Sequence, residues 1–121
     1  MKKQLTNLGF GLFLAVCLMA CSWKPEVSAV PLTAPWTTLN LPVKENAVVW
    51  KSEPTEFRAV HKEAKRTILK NYTDALKAQG WELEKFDESG DRFLVDMKKG
   101  VEQIGLEFYD FNNTGVVIKK K

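Results

Sequence analysis

The side chains that could do covalent chemistry are few in this chain. The two cysteines are Cys17 and Cys21, and His61 is the single histidine. Because His61 is the single histidine and Cys21 the one cysteine that would remain after export, zinc sites and Cys/His or Ser/His/Asp arrangements are not expected. His61 acting alone as a general base stays open, beside the simpler interpretation of a histidine on a strand face. We therefore expect no enzyme, no cofactor and no metal site.

Carboxylates are the other side chains considered for chemistry. Asp87, Glu88 and Asp91 crowd one predicted turn, where they could bind Ca²⁺. The alternating ligands and distal glutamate of an EF-hand loop are missing. The pattern is typical of a solvated turn.

The environment of Cys21 carries the strongest signal. Lys2 and Lys3 precede an apolar run of 13 residues, 8–20. A membrane span needs about 20 residues, so this run fits the apolar region of a signal peptide better. The sequence predicts export from the cytoplasm.

The run ends in Leu18-Met19-Ala20-Cys21, which resembles the lipobox of bacterial lipoproteins. The resemblance implies cleavage between Ala20 and Cys21, diacylation of the Cys21 thiol and often acylation of the new amino group. Acyl chains on Cys21 would then hold the protein at a membrane. A plain secretory signal with a chance cysteine, or an uncleaved anchor helix, are the alternatives.

The residue after the cysteine and the charge balance bear on location and partners. In the Gram-negative lipoproteins that the lipobox resembles, a serine at the position of Ser22 permits sorting to the outer membrane, so the outer membrane facing the periplasm is the favoured location. In a Gram-positive cell the location would be the outer face of the cytoplasmic membrane. Removing residues 1–20 removes two lysines and leaves 16 basic against 15 acidic residues. A nucleic-acid partner is not expected of so neutral a domain. Lys119–Lys121 are either a solvated terminus or a contact to lipid headgroups.

Residues 21–42 read as a lipidated N-terminus and a proline-rich tether. Four of the five prolines fall here, and proline favours extended chain. The segment also carries Trp36, Leu39 and Leu41. These either pack on the domain as its first irregular segment or form a docking motif for a partner.

Residues 43–121 are predicted to form one α+β domain. Ala64, Ile68, Tyr72 and Leu76 recur at helical spacing, and Gly80 follows as a helix stop. Alternating apolar and polar residues predict strands on either side of this helix, and over 81–86 the alternation places Leu83 and Lys85 on one face and Phe86 on the other. The predicted elements are a helix over 63–79 and strands over 47–51, 57–62, 81–86, 92–98, 101–109 and 116–120. We expect one helix packed on an antiparallel meander of about four to six strands.

The predicted core comes from the helix stripe and the inward positions of the strands: Ile68, Leu69, Tyr72, Leu76, Trp81, Leu83, Phe93, Val95, Ile104, Leu106, Phe108, Val116 and Ile118. Residues 40–121 also resemble a recurrent domain of small bacterial lipoproteins, through Tyr72, Leu76, Gly80, Trp81, Phe93, Met97 and Lys98. That resemblance concerns architecture and implies almost nothing about chemistry.

The function expected is that of a non-catalytic interaction domain that binds another envelope protein, for instance by strand addition at a sheet edge. The alternative is a small carrier of an apolar ligand, or an enzyme of the periplasm. A cavity above about 300 Å³ between helix and sheet would favour a carrier. A flat apolar patch above about 400 Å² would favour an interaction domain.

Overall fold

A computed structural model describes residues 25–43 and 47–121 of the chain. The predicted signal peptide, Ala20 and Cys21 lie outside the described residues. The elements are a 3₁₀ turn, six strands and one helix: Trp36–Thr38, then β1 (Ala47–Glu53), β2 (Glu56–His61), α1 (Lys65–Lys77), β3 (Glu82–Ser89), β4 (Arg92–Lys99), β5 (Glu102–Tyr109) and β6 (Thr114–Lys120).

The six strands form one antiparallel sheet in the order β1-β2-β6-β5-β4-β3. The predicted α+β class, with one helix on an antiparallel sheet, is confirmed. The sheet is not one sequential meander, because β6 rather than β3 lies beside β2. The helix carries the chain from β2 to the far edge, so that β6 returns to pair with β2.

Helix α1 lies on one face of the sheet through the predicted apolar stripe. Ile68, Tyr72 and Leu76 are buried at intervals of four residues, which keeps them on one side of the helix. The helix ends in a Schellman motif: the Gly80 N–H donates to the Lys77 carbonyl and the Trp81 N–H to the Leu76 carbonyl. Gly80 has φ +96°, which is why a glycine stands there.

The core lies between the helix and the sheet and contains nearly all the predicted residues. Leu69 is only partly buried, and Leu83 is 47% exposed. The prediction that Leu83 belongs to the core is wrong, because it lies on β3 at the sheet edge, beyond the cover of the helix.

Strand β3 also differs from its predicted alternation. Leu83 pairs with Met97 and Lys85 with the next residue back, Asp96, so Glu84 is an extra residue in a β-bulge. The bulge reverses the alternation, and Phe86 returns to the helix side opposite Val95. The prediction that Leu83 and Lys85 share a face and that Phe86 lies on the other is therefore wrong.

The folded part begins before residue 43. The Val30 N–H donates to the Val49 carbonyl at 2.9 Å, and the Trp36 indole N–H donates to the Glu53 carbonyl at 2.5 Å. The chain thus runs along the outer side of β1 before it enters the sheet. Residues 30–42, assigned to a tether by their prolines, are part of the domain because their apolar side chains complete its core.

Candidate functional site

His61 lies in the core rather than in a cleft. Its side chain is 2% exposed, and its Nε2 is 2.7 Å from the Tyr72 hydroxyl. The two rings meet edge to face with centroids 5.3 Å apart. Burial lowers the pKa of His61 to about 4, against a smaller upward effect of the Glu63 carboxylate. Burial also raises the pKa of the Tyr72 hydroxyl. The pair is a neutral hydrogen bond in the core, closed to substrate in this conformation.

The acidic residues expected in one turn are separated. Asp87 and Glu88 belong to β3, where they point to opposite faces of the sheet, and Asp91 follows Gly90 in the turn. The expectation that the three share one turn is wrong, because β3 runs three residues further than its apolar pattern indicated. Within residues 25–43 and 47–121, no three His, Cys, Asp or Glu side chains are grouped to hold a metal ion.

Trp36, Leu39 and Leu41 pack inward, as the first of the two alternatives for this segment describes. Trp36 is fully buried, with its ring 5.8 Å from that of Phe57. Leu41 is buried as well, and Leu39 packs against the same core. Their side chains thus leave little surface for a partner in this conformation.

The face of the sheet away from α1, which we call the open face, has no helix over it among the described residues. It is formed by the side chains that alternate with the core positions of the strands. Its central members are Lys51, Arg58, Val60, Lys85, Asp87, Leu94, Asp96, Gly105, Glu107, Gly115, Val117 and Lys119. The sequence predicted that residues alternate between two faces of each strand. Only the strand order shows which of these residues lie side by side and form one surface.

A depression of about 420 Å³ crosses the open face, and we call it the groove. Its floor is apolar and shallow, made by Leu94, Gly105 and Val117. A Cβ on Gly105 would lie 3.3 Å from Lys121 Cε and 3.5 Å from Asp96 Oδ1. The glycine therefore makes room for the 2.8 Å ion pair between Lys121 and Asp96.

Opposite charges alternate across the strands around the groove. One row of cross-strand neighbours runs Glu56, Lys119, Gly105, Asp96 and Lys85. Charges of opposite sign at facing positions stabilise a sheet modestly and remain accessible to a ligand.

The adjacent row begins with Arg58 and Val117 and continues through Glu107, Leu94 and Asp87. Arg58 bonds the Glu56 carboxylate, and together with Lys51 it holds the pKa of Glu56 below its usual value despite the opposing effect of burial. Basic and acidic side chains thus occur together at both ends of this face, with Arg58 beside Glu56 on β2 and Lys85 beside Asp87 on β3.

One end of the open face is aromatic. Tyr109 and Phe111 stack with centroids 6.0 Å apart, and Trp50 lies 6.3 Å from Phe111. Arg58 covers the Trp50 ring at 5.5 Å. The Tyr109 ring lies over Gly115, where a Cβ would approach Tyr109 Cζ to 2.6 Å. This aromatic end is held together by its own contacts and borders the groove.

The open face offers an apolar floor, paired charges and aromatic rings, which are groups that can contact another molecule. No described helix has both the length and the apolar character needed to cross a membrane. Comparison of the chain with protein-family models, curated proteins and solved structures finds no match.

Proposed function

We propose that this chain is a lipoprotein of the bacterial cell envelope whose domain binds another envelope protein without catalysis. The proposed anchor is Cys21: its thiol is diacylated, residues 1–20 are then removed, and the new amino group is often acylated as well. It is supported by the lysines, the apolar run and the lipobox that precede it. The favoured address is the outer membrane, facing the periplasm.

The observation that carries the interaction proposal is the open face with its groove. A sheet face with an apolar floor, Leu94 and Val117, bordered by opposite charges offers both burial and orientation to a partner surface. A sheet face that contacts only water is expected to carry polar and charged side chains. This face also carries apolar and aromatic side chains, which a partner surface could cover.

The carrier alternative has less support from the packing. Large side chains, including Trp36, Tyr72 and Phe108, fill the space between helix and sheet. The 420 Å³ groove lies on the opposite side of the sheet and is partly open to solvent. A groove of this kind suits a protein surface better than it suits an apolar ligand, which needs enclosure.

The proposed anchor also limits where the partner can be. Among the described residues, Val30 is the first whose backbone bonds to the sheet, and it lies nine positions after Cys21. Nine extended residues reach about 30 Å. The domain would therefore work within about that distance of the bilayer surface, on a partner that is itself in or near the membrane.

The test is site-specific photocrosslinking of the full chain in living cells. We expect a crosslinker at Leu94 or Lys119, on the open face, to give one reproducible protein adduct, and a crosslinker at Lys70, on the outer side of α1, to give none. The Cys21→Ser variant should lose palmitate labelling and the adduct together. The same adducts from all three positions, or normal labelling of Cys21→Ser, would contradict the proposal.

A further inference from the structure

The two edges of the sheet differ in what covers them. The outer side of β1 is bonded by the preceding segment, through Val30 to Val49 and through Thr33 to the Ser52 carbonyl at 2.8 Å. The outer side of β3 is the last in the strand order, and no described segment pairs with it. Of the two edges, β3 is the one whose backbone groups remain open to another strand.

Strand β3 is exposed along its whole length. All eight residues of Glu82–Ser89 are exposed, and they include Leu83 at 47% and Phe86 at 42%. Edge strands are commonly shortened or covered to prevent pairing, whereas this one is long and carries two large apolar side chains. It has the dimensions of a site for strand addition.

The bulge gives the two sides of this edge different chemistry. Leu83, Phe86 and Glu88 are on the helix side, opposite Met97, Val95 and Phe93. Lys85 and Asp87 lie on the open-face side, opposite Asp96 and Leu94. A strand added here would meet Leu83, Phe86 and one carboxylate, Glu88, on the helix side and charges on the other side.

The charges on the open-face side are mostly acidic. Glu82 pairs with Lys98 across the strands, and the Glu84 carboxylate lies 3.8 Å from the Lys98 ammonium, so both belong to that side with Asp87. This side therefore has three carboxylates and one lysine, Lys85; with Glu88 on the helix side, the strand as a whole carries a net charge of −3. Two copies of β3 side by side would bring −3 against −3, which disfavours a second copy of this chain as the occupant.

We propose that β3 binds a basic, extended segment of a partner protein, which adds to the sheet as a seventh strand. The segment alternates basic residues, which face Glu82, Glu84 and Asp87, with apolar residues, which cover Leu83 and Phe86. It borders the groove, because Lys85 and Asp87 also form one wall of it. This inference rests on the proposed interaction function and names the edge and the partner chemistry.

The experiment uses the full-length lipidated protein in detergent micelles and three labelled peptides of eight residues. The first alternates lysine with valine or phenylalanine. The second has glutamate in place of each lysine. The third keeps the lysines but has two central prolines, which cannot complete a strand ladder. Fluorescence anisotropy measures binding, and hydrogen exchange measures protection of the β3 amides.

We expect the first peptide to bind and to protect the amides of β3, and the second not to bind. The third peptide should bind at least about tenfold more weakly than the first. The first peptide should also bind the Glu84→Lys/Asp87→Lys variant at least about tenfold more weakly than it binds the unchanged protein. The matched control, Glu53→Lys/Glu102→Lys, makes the same charge change at exposed carboxylates on other strands and should bind normally.

If the first and third peptides bind equally well, binding depends on charge attraction and not on a strand ladder, and the proposal is overturned. Protection of β3 without peptide, in a protein that sediments as a dimer, would assign the edge to a second copy and overturn it too. If the peptides fail while crosslinks from Leu94 and Lys119 appear, strand addition is wrong and the interaction function stands.

Discussion

Lowering the pH tests the buried pair of His61 and Tyr72. In the unfolded chain His61 takes up a proton near its ordinary pKa of 6.5, whereas burial in the fold delays protonation to about pH 4. Between these values the unfolded state binds more protons than the folded state. The contribution of His61 to stability is therefore complete above pH 6.5 and is lost as the pH falls toward 4.

The size of the effect follows from the difference between the two pKa values. Each unit corresponds to about 1.4 kcal/mol, so the free energy of unfolding should fall by roughly 3 kcal/mol between pH 7 and pH 4 through this group. The side chain is almost fully buried, so solvent screens little of this cost. Such a loss is a large fraction of the stability of a small domain.

The assay is urea unfolding of the protein at intervals between pH 7 and pH 4, followed by tryptophan fluorescence. The control is His61→Gln, which keeps a hydrogen-bonding group for the Tyr72 hydroxyl but does not titrate. The variant should be less stable at pH 7 and should lose much less stability on acidification. Parallel curves for the two proteins across this range would refute the assignment of His61 as a buried neutral group.

Two further stability predictions follow from packing. Trp81→Ala should lower the free energy of unfolding by about 3–5 kcal/mol, because Trp81 is buried in the core. Leu83→Ala should cost less than about 1 kcal/mol, because Leu83 is exposed at the sheet edge. Equal losses in urea unfolding would show that Leu83 is buried. Gly115→Ala should destabilise the domain by about 1–3 kcal/mol through its clash with Tyr109, and most of that loss should vanish when the change is made in a Tyr109→Ala background. Thermal unfolding of the parent protein, the two single variants and the double variant tests this. If the losses of the two single variants simply add in the double variant, the prediction is contradicted.

The elements of the fold were predictable because each has a strong local pattern. The Ile68, Tyr72 and Leu76 stripe determines the helix, and Gly80 determines its end. The six strands follow from alternation with turn residues between them. Each predicted strand exists, and β3 extends furthest beyond its predicted range.

Three features could not be predicted from the sequence, because they depend on contacts between residues that are far apart in the chain. The prolines around Trp36 favour extended chain, but only the presence of β1 and Phe57 makes that chain part of the core. The bulge at Glu84 could not be predicted, because residues 81–86 alternate regularly and contain no glycine or proline that would mark it. His61 looked like a residue of a strand face, and its burial depends on Tyr72 arriving from the helix.

The open face was predictable only in part. In β4 the residues alternate between the two faces, so Asp96 was expected on a polar face and Val95 in the core. A glycine inside a strand, such as Gly105, commonly marks a place where other atoms pack close to the backbone. That this face carries a groove depends on β6 lying between β2 and β5, which no local pattern encodes.

The proposal of a membrane-anchored interaction domain is tested most directly by the intact mass of the protein extracted from its own membranes. We predict a chain that starts at Cys21 and is heavier than that sequence by two or three acyl groups plus the glyceryl link. A mass equal to the unmodified chain from Met1, with the Cys21 thiol free to react with iodoacetamide, would contradict the account.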